Sequence, residues 1–240
     1  MKKLQQSLLK QYQSSPRLFG VIANHSLDPK TIENSRKIGE PNFFQKPVTG
    51  IIHNPSSLEL HPTQDIIAEF ELGIIISKPG SNIKQNEIFD HIGGFCVAGD
   101  LTATRYKPIP NFPDMFYRKV WDRLTPVSDF IEKSKIEDLD AAFLTLRHYK
   151  ASAGGEGEDE YDEYSFTIRE LIWSVQEQIE FISQRVEFRA GDMLLSGSAA
   201  APNLEDGDRA VMGLRAEEAG EQLAEVDFLV TRPFKEELSE

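Results

Sequence analysis

The chain has 240 residues, 40% of them hydrophobic and 27% charged, and a formal net charge of −13. That length suits one main domain, and no apolar run approaches the roughly 20 residues of a membrane helix. The acidity argues against a nucleic-acid partner, because a phosphate-binding surface uses clustered Lys and Arg.

The first 19 residues carry Lys2, Lys3, Lys10 and Arg17 and no acid. Such a stretch keeps the mitochondrial matrix open as an alternative to a cytoplasmic location. Leu4, Leu8 and Leu9 predict a short helix packed on the body. Cys96 is the single cysteine, so no intrachain disulfide can form, which fits a reducing compartment.

From Pro16 onward, "RLFGVIANHSLDPKT" reads as a short apolar segment that ends in a turn. Asp28 and Pro29 then start a short helix, with His25 at the junction. "FFQKPVTGIIHNPSSLELHP" is rich in Pro, Gly, Asn and Ser and predicts short strands joined by tight turns.

"DIIAEFELGIIIS", residues 65–77, is the clearest strand. "IFDHIGGFCVAGDLTA" predicts a helical start and then a second apolar strand ending at Asp100. Gly and acids dominate residues 151–164, which predicts a solvated loop. Ile168, Leu171, Ile172, Val175, Ile179 and Ile182 then recur at helical spacing, predicting one amphipathic helix whose stripe is core. The tail alternates Gly-Asp turns with apolar strands.

Chemistry enters with Glu69 and Glu71. On a strand they share a face, while Phe70 and Leu72 share the other. Two neighbouring carboxylates repel unless something positive lies between them. Asp100, at the end of the next strong strand, brings a third carboxylate within reach, since adjacent strands are about 4.8 Å apart. Three hard oxygen ligands suit Mg²⁺ or Mn²⁺; a plain solvent-facing row of acids has the same spacing.

Together these segments resemble the fumarylacetoacetate hydrolase family. "AEFELGIII" followed by "HIGGFCVAGDLTA" is similar to its E-x-E-L and G-(Y/F)-x-x-x-x-D-(apolar)-(S/T)-A pattern. "FFQKP", "KVWDRLTPVSDFI" and "GDMLLSGSAAAP" stand in the order of its other motifs, so the resemblance runs from about residue 17 to 232.

The resemblance implies an α+β, mainly β fold: a mixed β-sandwich roll with peripheral helices, in a homodimer. Residues 1–50 would be an N-terminal segment with a lid helix, and 51–240 the catalytic roll, the two forming one compact unit. It implies Glu69, Glu71 and Asp100 as metal ligands and Lys119 as the lysine that polarises a substrate oxygen. His25 oriented by Asp28 would be the water-activating pair, and Lys46 and Ser198 would contact substrate. The chain departs from the pattern with Asp28 in place of Glu, Ala199 in place of Pro, and "LTATRYK", which puts Lys107 where the family has Gln.

The activity this implies is Mg²⁺- or Mn²⁺-dependent cleavage of a carbon–carbon bond in a small β-diketo acid of the acylpyruvate or fumarylpyruvate type. Its alternatives are oxaloacetate decarboxylation or a related lyase or isomerase reaction, and a non-catalytic ligand-binding relative.

Overall fold

The computed structural model describes residues 15–61, 64–105, 115–151 and 160–232. The expected helix around Leu4, Leu8 and Leu9, positions 152–159 of the acidic run, and Lys107 lie outside them.

Among the described residues two sheets form. The first is nine-stranded and takes in β1 (Leu18–Val21), β2 (Phe43–Lys46), β3 (Ile51–His53), β5 (Ile66–Ile76) and β6 (Ile92–Ala103). The short strands β7 (Thr125–Val127), β8 (Ile131–Glu132), β11 (Met193–Leu195) and β12 (Asn203–Leu204) complete it. The second has five strands: β4 (Ser57–Glu59), β9 (Phe143–Tyr149), β10 (Asp162–Thr167), β13 (Arg209–Arg215) and β14 (Gln222–Thr231). β1 and β2, from the expected N-terminal segment, pair with each other, and β1 also pairs with β11, so both belong to the large sheet.

The order along the large sheet is β2-β1-β11-β5-β6-β7-β3. Four strand spacings separate β2 from β6, about 19 Å on a flat sheet, which no side chain spans. Yet Lys46 of β2 bonds Asp100 of β6 at 2.6 Å. The sheet therefore curls into a roll whose edge folds back over its centre.

Strand alternation in β5 divides its side chains between two layers. Ile66, Ala68, Phe70, Leu72, Ile74 and Ile76 enter the main core, where Phe70 meets Phe166 at 5.3 Å between ring centroids. The opposite face carries Glu69 and Glu71 and then Gly73. Further along that face lies a second apolar cluster of Leu18, Cys96, Ala98, Val127 and Leu195. Gly73 is required by close approach, since a Cβ there would lie 2.5 Å from Cys96 Sγ.

Four helices lie at the periphery of the described residues: α1 (Pro29–Ile38), α2 (Ile88–His91), α3 (Met115–Lys119) and α4 (Val175–Ser183). Asp28 caps α1 and Pro29 begins it, as the sequence predicts. The single amphipathic helix expected over 168–182 is instead a 3₁₀ turn at Ile168–Glu170 followed by α4. Ser174 breaks the run: its hydroxyl accepts from Glu177 N, and the Glu177 carboxylate accepts from Ser174 N. Ser174→Ala removes that cap and is expected to lower stability by about 1 kcal/mol in urea denaturation. No helix among the described residues is long and apolar enough to cross a membrane.

Candidate metal centre

β5 and β6 are antiparallel neighbours, and their register sets Glu69 opposite Asp100 and Glu71 opposite Ala98. Alternation then sends Glu69, Glu71 and Asp100 out of one face. One carboxylate oxygen from each lies within 4.8 Å of the other two. Asp100 and Glu71 are only 1% and 2% exposed, and Glu69 is half-buried. Asp100 does not end its strand, as the sequence predicts: Leu101, Thr102 and Ala103 continue the ladder against Ala68, Ile67 and Ile66. Thr102, on the same face, donates to Glu69 Oε2 at 3.0 Å.

Three carboxylates meet two lysines here. Lys46, fully buried, donates to Asp100 Oδ1 at 2.6 Å and to the carbonyls of Leu124 (2.6 Å) and Leu101 (3.1 Å). Lys119, the last residue of α3, donates to Glu69 Oε2 at 2.9 Å and, in a closer contact, to Asp100 Oδ2. Its ammonium lies 4.8 Å from the centre of the Phe44 ring.

The charges set each group's proton affinity. Burial would raise the Asp100 carboxyl, but Lys46 and Lys119 outweigh it and hold it below the ordinary aspartate value. At Glu71 burial, and then the charges of Asp100 and Glu69, outweigh the Gly197 N–H and Lys119 and push the carboxyl well above the ordinary glutamate value. Burial would lower Lys119, but Asp100 and Glu69 keep it above the usual lysine value. At Lys46 burial wins over the pull of Asp100, and the shift is downward.

Glu71 Oε2 accepts from Gly197 N at 2.5 Å. Gly197 adopts φ +104°, and a Cβ there would lie 2.6 Å from that of Asn24, so the loop that supports Glu71 needs glycine at this point. Asn24 is buried and fully engaged. Its amide donates to Ser196 O (2.8 Å) and Trp173 O (3.0 Å), and its carbonyl accepts from Trp173 N (2.8 Å).

The donor set suits a hard divalent cation: oxygen ligands only, close enough to share one ion, with a net negative charge that burial makes costly at Glu71. Glu69, Asp100, Thr102 and Lys119 line a cleft of about 260 Å³ with Phe44 and Arg118.

The remaining predicted residues are placed as follows. His25 meets Phe166 at 5.9 Å between rings, and burial, partly offset by Glu170, lowers its pKa. Asp28 does not orient His25; its carboxylate accepts from Lys30 N, Thr31 N and Thr31 Oγ1 at the start of α1. Lys46 stands behind Asp100 with its three protons committed. Ser198 Oγ accepts from Phe70 N at 3.1 Å and donates to Ala200 O at 2.9 Å, so it is engaged with backbone.

The sequence reading missed Phe44, Thr102, Arg118, Asn24 and Gly197. Only Thr102 carried a local signal, since it stands two residues beyond Asp100 and shares its face.

The family pattern described as fumarylacetoacetate (FAA) hydrolase C-terminal matches residues 20–227. A mitochondrial oxaloacetate decarboxylase of Dictyostelium discoideum is 27% identical over 191 residues, 78% of this chain and 83% of that one. A mitochondrial oxaloacetate tautomerase of Arabidopsis thaliana is 25% identical over 228 residues, 93% of this chain and 95% of that one. Among solved structures, a yeast fumarylacetoacetate hydrolase family protein superposes with a TM-score of 0.72 at 19% identity, covering 92% of this chain and 94% of its own. A maleylpyruvate hydrolase from Sphingobium gives 0.70 at 17% identity, covering 90% and 70%. These structures share the mainly β roll. The matched span includes both strands that present the acids and both lysines that hold them, and the chain belongs to the fumarylacetoacetate hydrolase family.

Proposed function

We propose that the protein is a divalent-cation-dependent enzyme acting on a small β-keto acid of the oxaloacetate kind, through decarboxylation or keto–enol interconversion. The observation that carries this reading is that Glu69, Asp100 and Lys119 face one small cleft, so a cation site and a single ammonium address the same substrate. The names of the decarboxylase and tautomerase relatives support the substrate class. Both names also carry the word mitochondrial, which favours the matrix over the cytoplasm.

Glu69, Glu71 and Asp100 would hold Mg²⁺ or Mn²⁺, which as a Lewis acid polarises the keto oxygen. Lys119 donates a hydrogen bond to the oxygen that gains charge as the adjacent carbon–carbon or carbon–hydrogen bond breaks. Lys46 keeps the Asp100 carboxylate ionised and aimed from behind. Arg118 adds positive charge at the cleft for a substrate carboxylate. Phe44 gives the cleft an apolar wall that limits water around Lys119.

A second reading is hydrolytic cleavage of an acylpyruvate or fumarylpyruvate, favoured by the lowered pKa that keeps the His25 imidazole neutral and able to take a proton from water. Against it stands the use of Asp28 as a helix cap. The family resemblance extends the proposal to a homodimer, which sedimentation of the same preparation tests.

Turnover of oxaloacetate, acylpyruvates and fumarylpyruvate with Mg²⁺ or Mn²⁺, by the wild type and by His25→Ala, separates the readings. The first expects oxaloacetate turnover that falls less than about tenfold in His25→Ala. Acylpyruvate hydrolysis that falls by about 100-fold or more, the usual contribution of a general base, would favour the second. No turnover of any substrate would favour a binding protein.

A further inference from the structure

Lys119 holds the place of a cation. Its Nζ is within hydrogen-bond distance of oxygens from Glu69 and Asp100, two of the three acids that converge. A divalent ion bound to those acids would sit about 2.1 Å from their oxygens. Two positive centres on the same carboxylates at such range repel strongly in a buried site. The ammonium and an ion held by the acids would draw on the same Glu69 and Asp100 oxygens.

The two lysines differ in how they are held. Lys46 has each proton committed, to Asp100 and two main-chain carbonyls, and its side chain is fully buried. Nothing could replace Asp100 for it without leaving its charge stranded. The hydrogen bonds of Lys119 go to the carboxylates of Glu69 and Asp100, and it ends a helix of five residues beside the cleft. The Phe44 ring, 4.8 Å from the ammonium, flanks it on the cleft wall.

Resting on the cation-site reading above, we propose that Lys119 is an exchangeable internal cation: it closes the acid cluster until a divalent ion displaces it into the cleft, where it becomes the substrate-facing ammonium. Metal loading then governs the availability of Lys119, and substrate capture by that lysine follows loading.

Amine acylation of the full-length protein, read by mass spectrometry, follows Lys119 directly. With EDTA, Lys119 and Lys46 should both be protected. With saturating Mg²⁺, acylation at Lys119 should rise by about tenfold or more as its ion pairs are lost, while Lys46 stays protected. Calorimetry with Mn²⁺ gives the second readout: Lys119→Met should bind about tenfold more tightly than the wild type, and Lys119→Arg should not gain. Unchanged Lys119 labelling on loading, or no gain in Lys119→Met, overturns the exchange while leaving the cation site standing. Absence of Mn²⁺ binding in both the wild type and Lys119→Met overturns the cation site and the exchange together.

Discussion

Glu71→Gln is expected to weaken divalent-cation binding by at least about 100-fold, the upper end of what even outer-shell partners of a metal cost, and to abolish turnover. The same change is expected to make the cation-free protein more stable at neutral pH. Burial and the charges of Asp100 and Glu69 push the Glu71 carboxyl well above its ordinary value of 4.5. A carboxyl that keeps its proton longer when folded gives a definite sign. As pH rises from 4.5 towards the raised folded value, the unfolded chain releases this proton first and stability falls. Glutamine has no proton to lose, and its carbonyl can still accept from Gly197 N. Urea midpoints in EDTA at pH 5 and pH 8 measure the effect: the wild type should lose more stability across that interval than Glu71→Gln. Equal losses would remove Glu71 as the source. Mg²⁺ at a concentration that fills the wild-type site should reverse the ranking, because the wild type gains more from binding.

Asp100→Ala should cost the same metal site and also damage the fold, by about 3 kcal/mol, the lower end of what breaking a buried ion pair costs. Two effects compete. Removing Asp100 relieves the repulsion on Glu71, which stabilises. It also strands Lys46, whose side chain is fully buried and whose anionic hydrogen-bond partner among the described residues is Asp100. The second effect dominates because Lys46 cannot reach solvent. The pH signature is opposite to that of Glu71. A depressed carboxyl contributes stability above its ordinary value of 3.8 and loses it as pH falls through the lower folded value. Acid titration of the wild type in EDTA should therefore show a loss of stability below pH 3.8 that Asp100→Ala lacks. A variant as stable as the wild type at pH 7 would show that Lys46 finds another counter-charge.

The acid face was legible in the sequence because it depends on local rules. Alternation sets Glu69 and Glu71 together, and a long apolar run marks β5 within one residue at each end. What the spacing could not show was which charges hold the acids. Lys46 is 54 residues from Asp100 and reaches it only because the sheet rolls, a property of the assembled strands rather than of any segment. The helix over 168–182 failed for a different reason. Apolar spacing continues through Ile168 and Leu171, but the cap signature Ser174-Val-Gln-Glu177 was present and had priority over the stripe. Asp28 was read correctly as a helix start, and that role occupies the carboxylate the catalytic expectation needed.

Asn24 is an anchor: its carboxamide fastens the chain to Trp173 and Ser196 immediately before His25, whereas α1 beyond it has no buried residue. Among the described residues, Arg36 clasps the far end of α1 to Glu177 and over the Trp173 ring, and Glu40 just past it pairs with Arg185, partly exposed contacts of the kind that contribute little. The segment is nonetheless pinned at both ends, by Asn24 before α1 and by Asn42, whose carbonyl accepts from Ile22 N, after it, so the His25 imidazole keeps its place beside the first of two anchors.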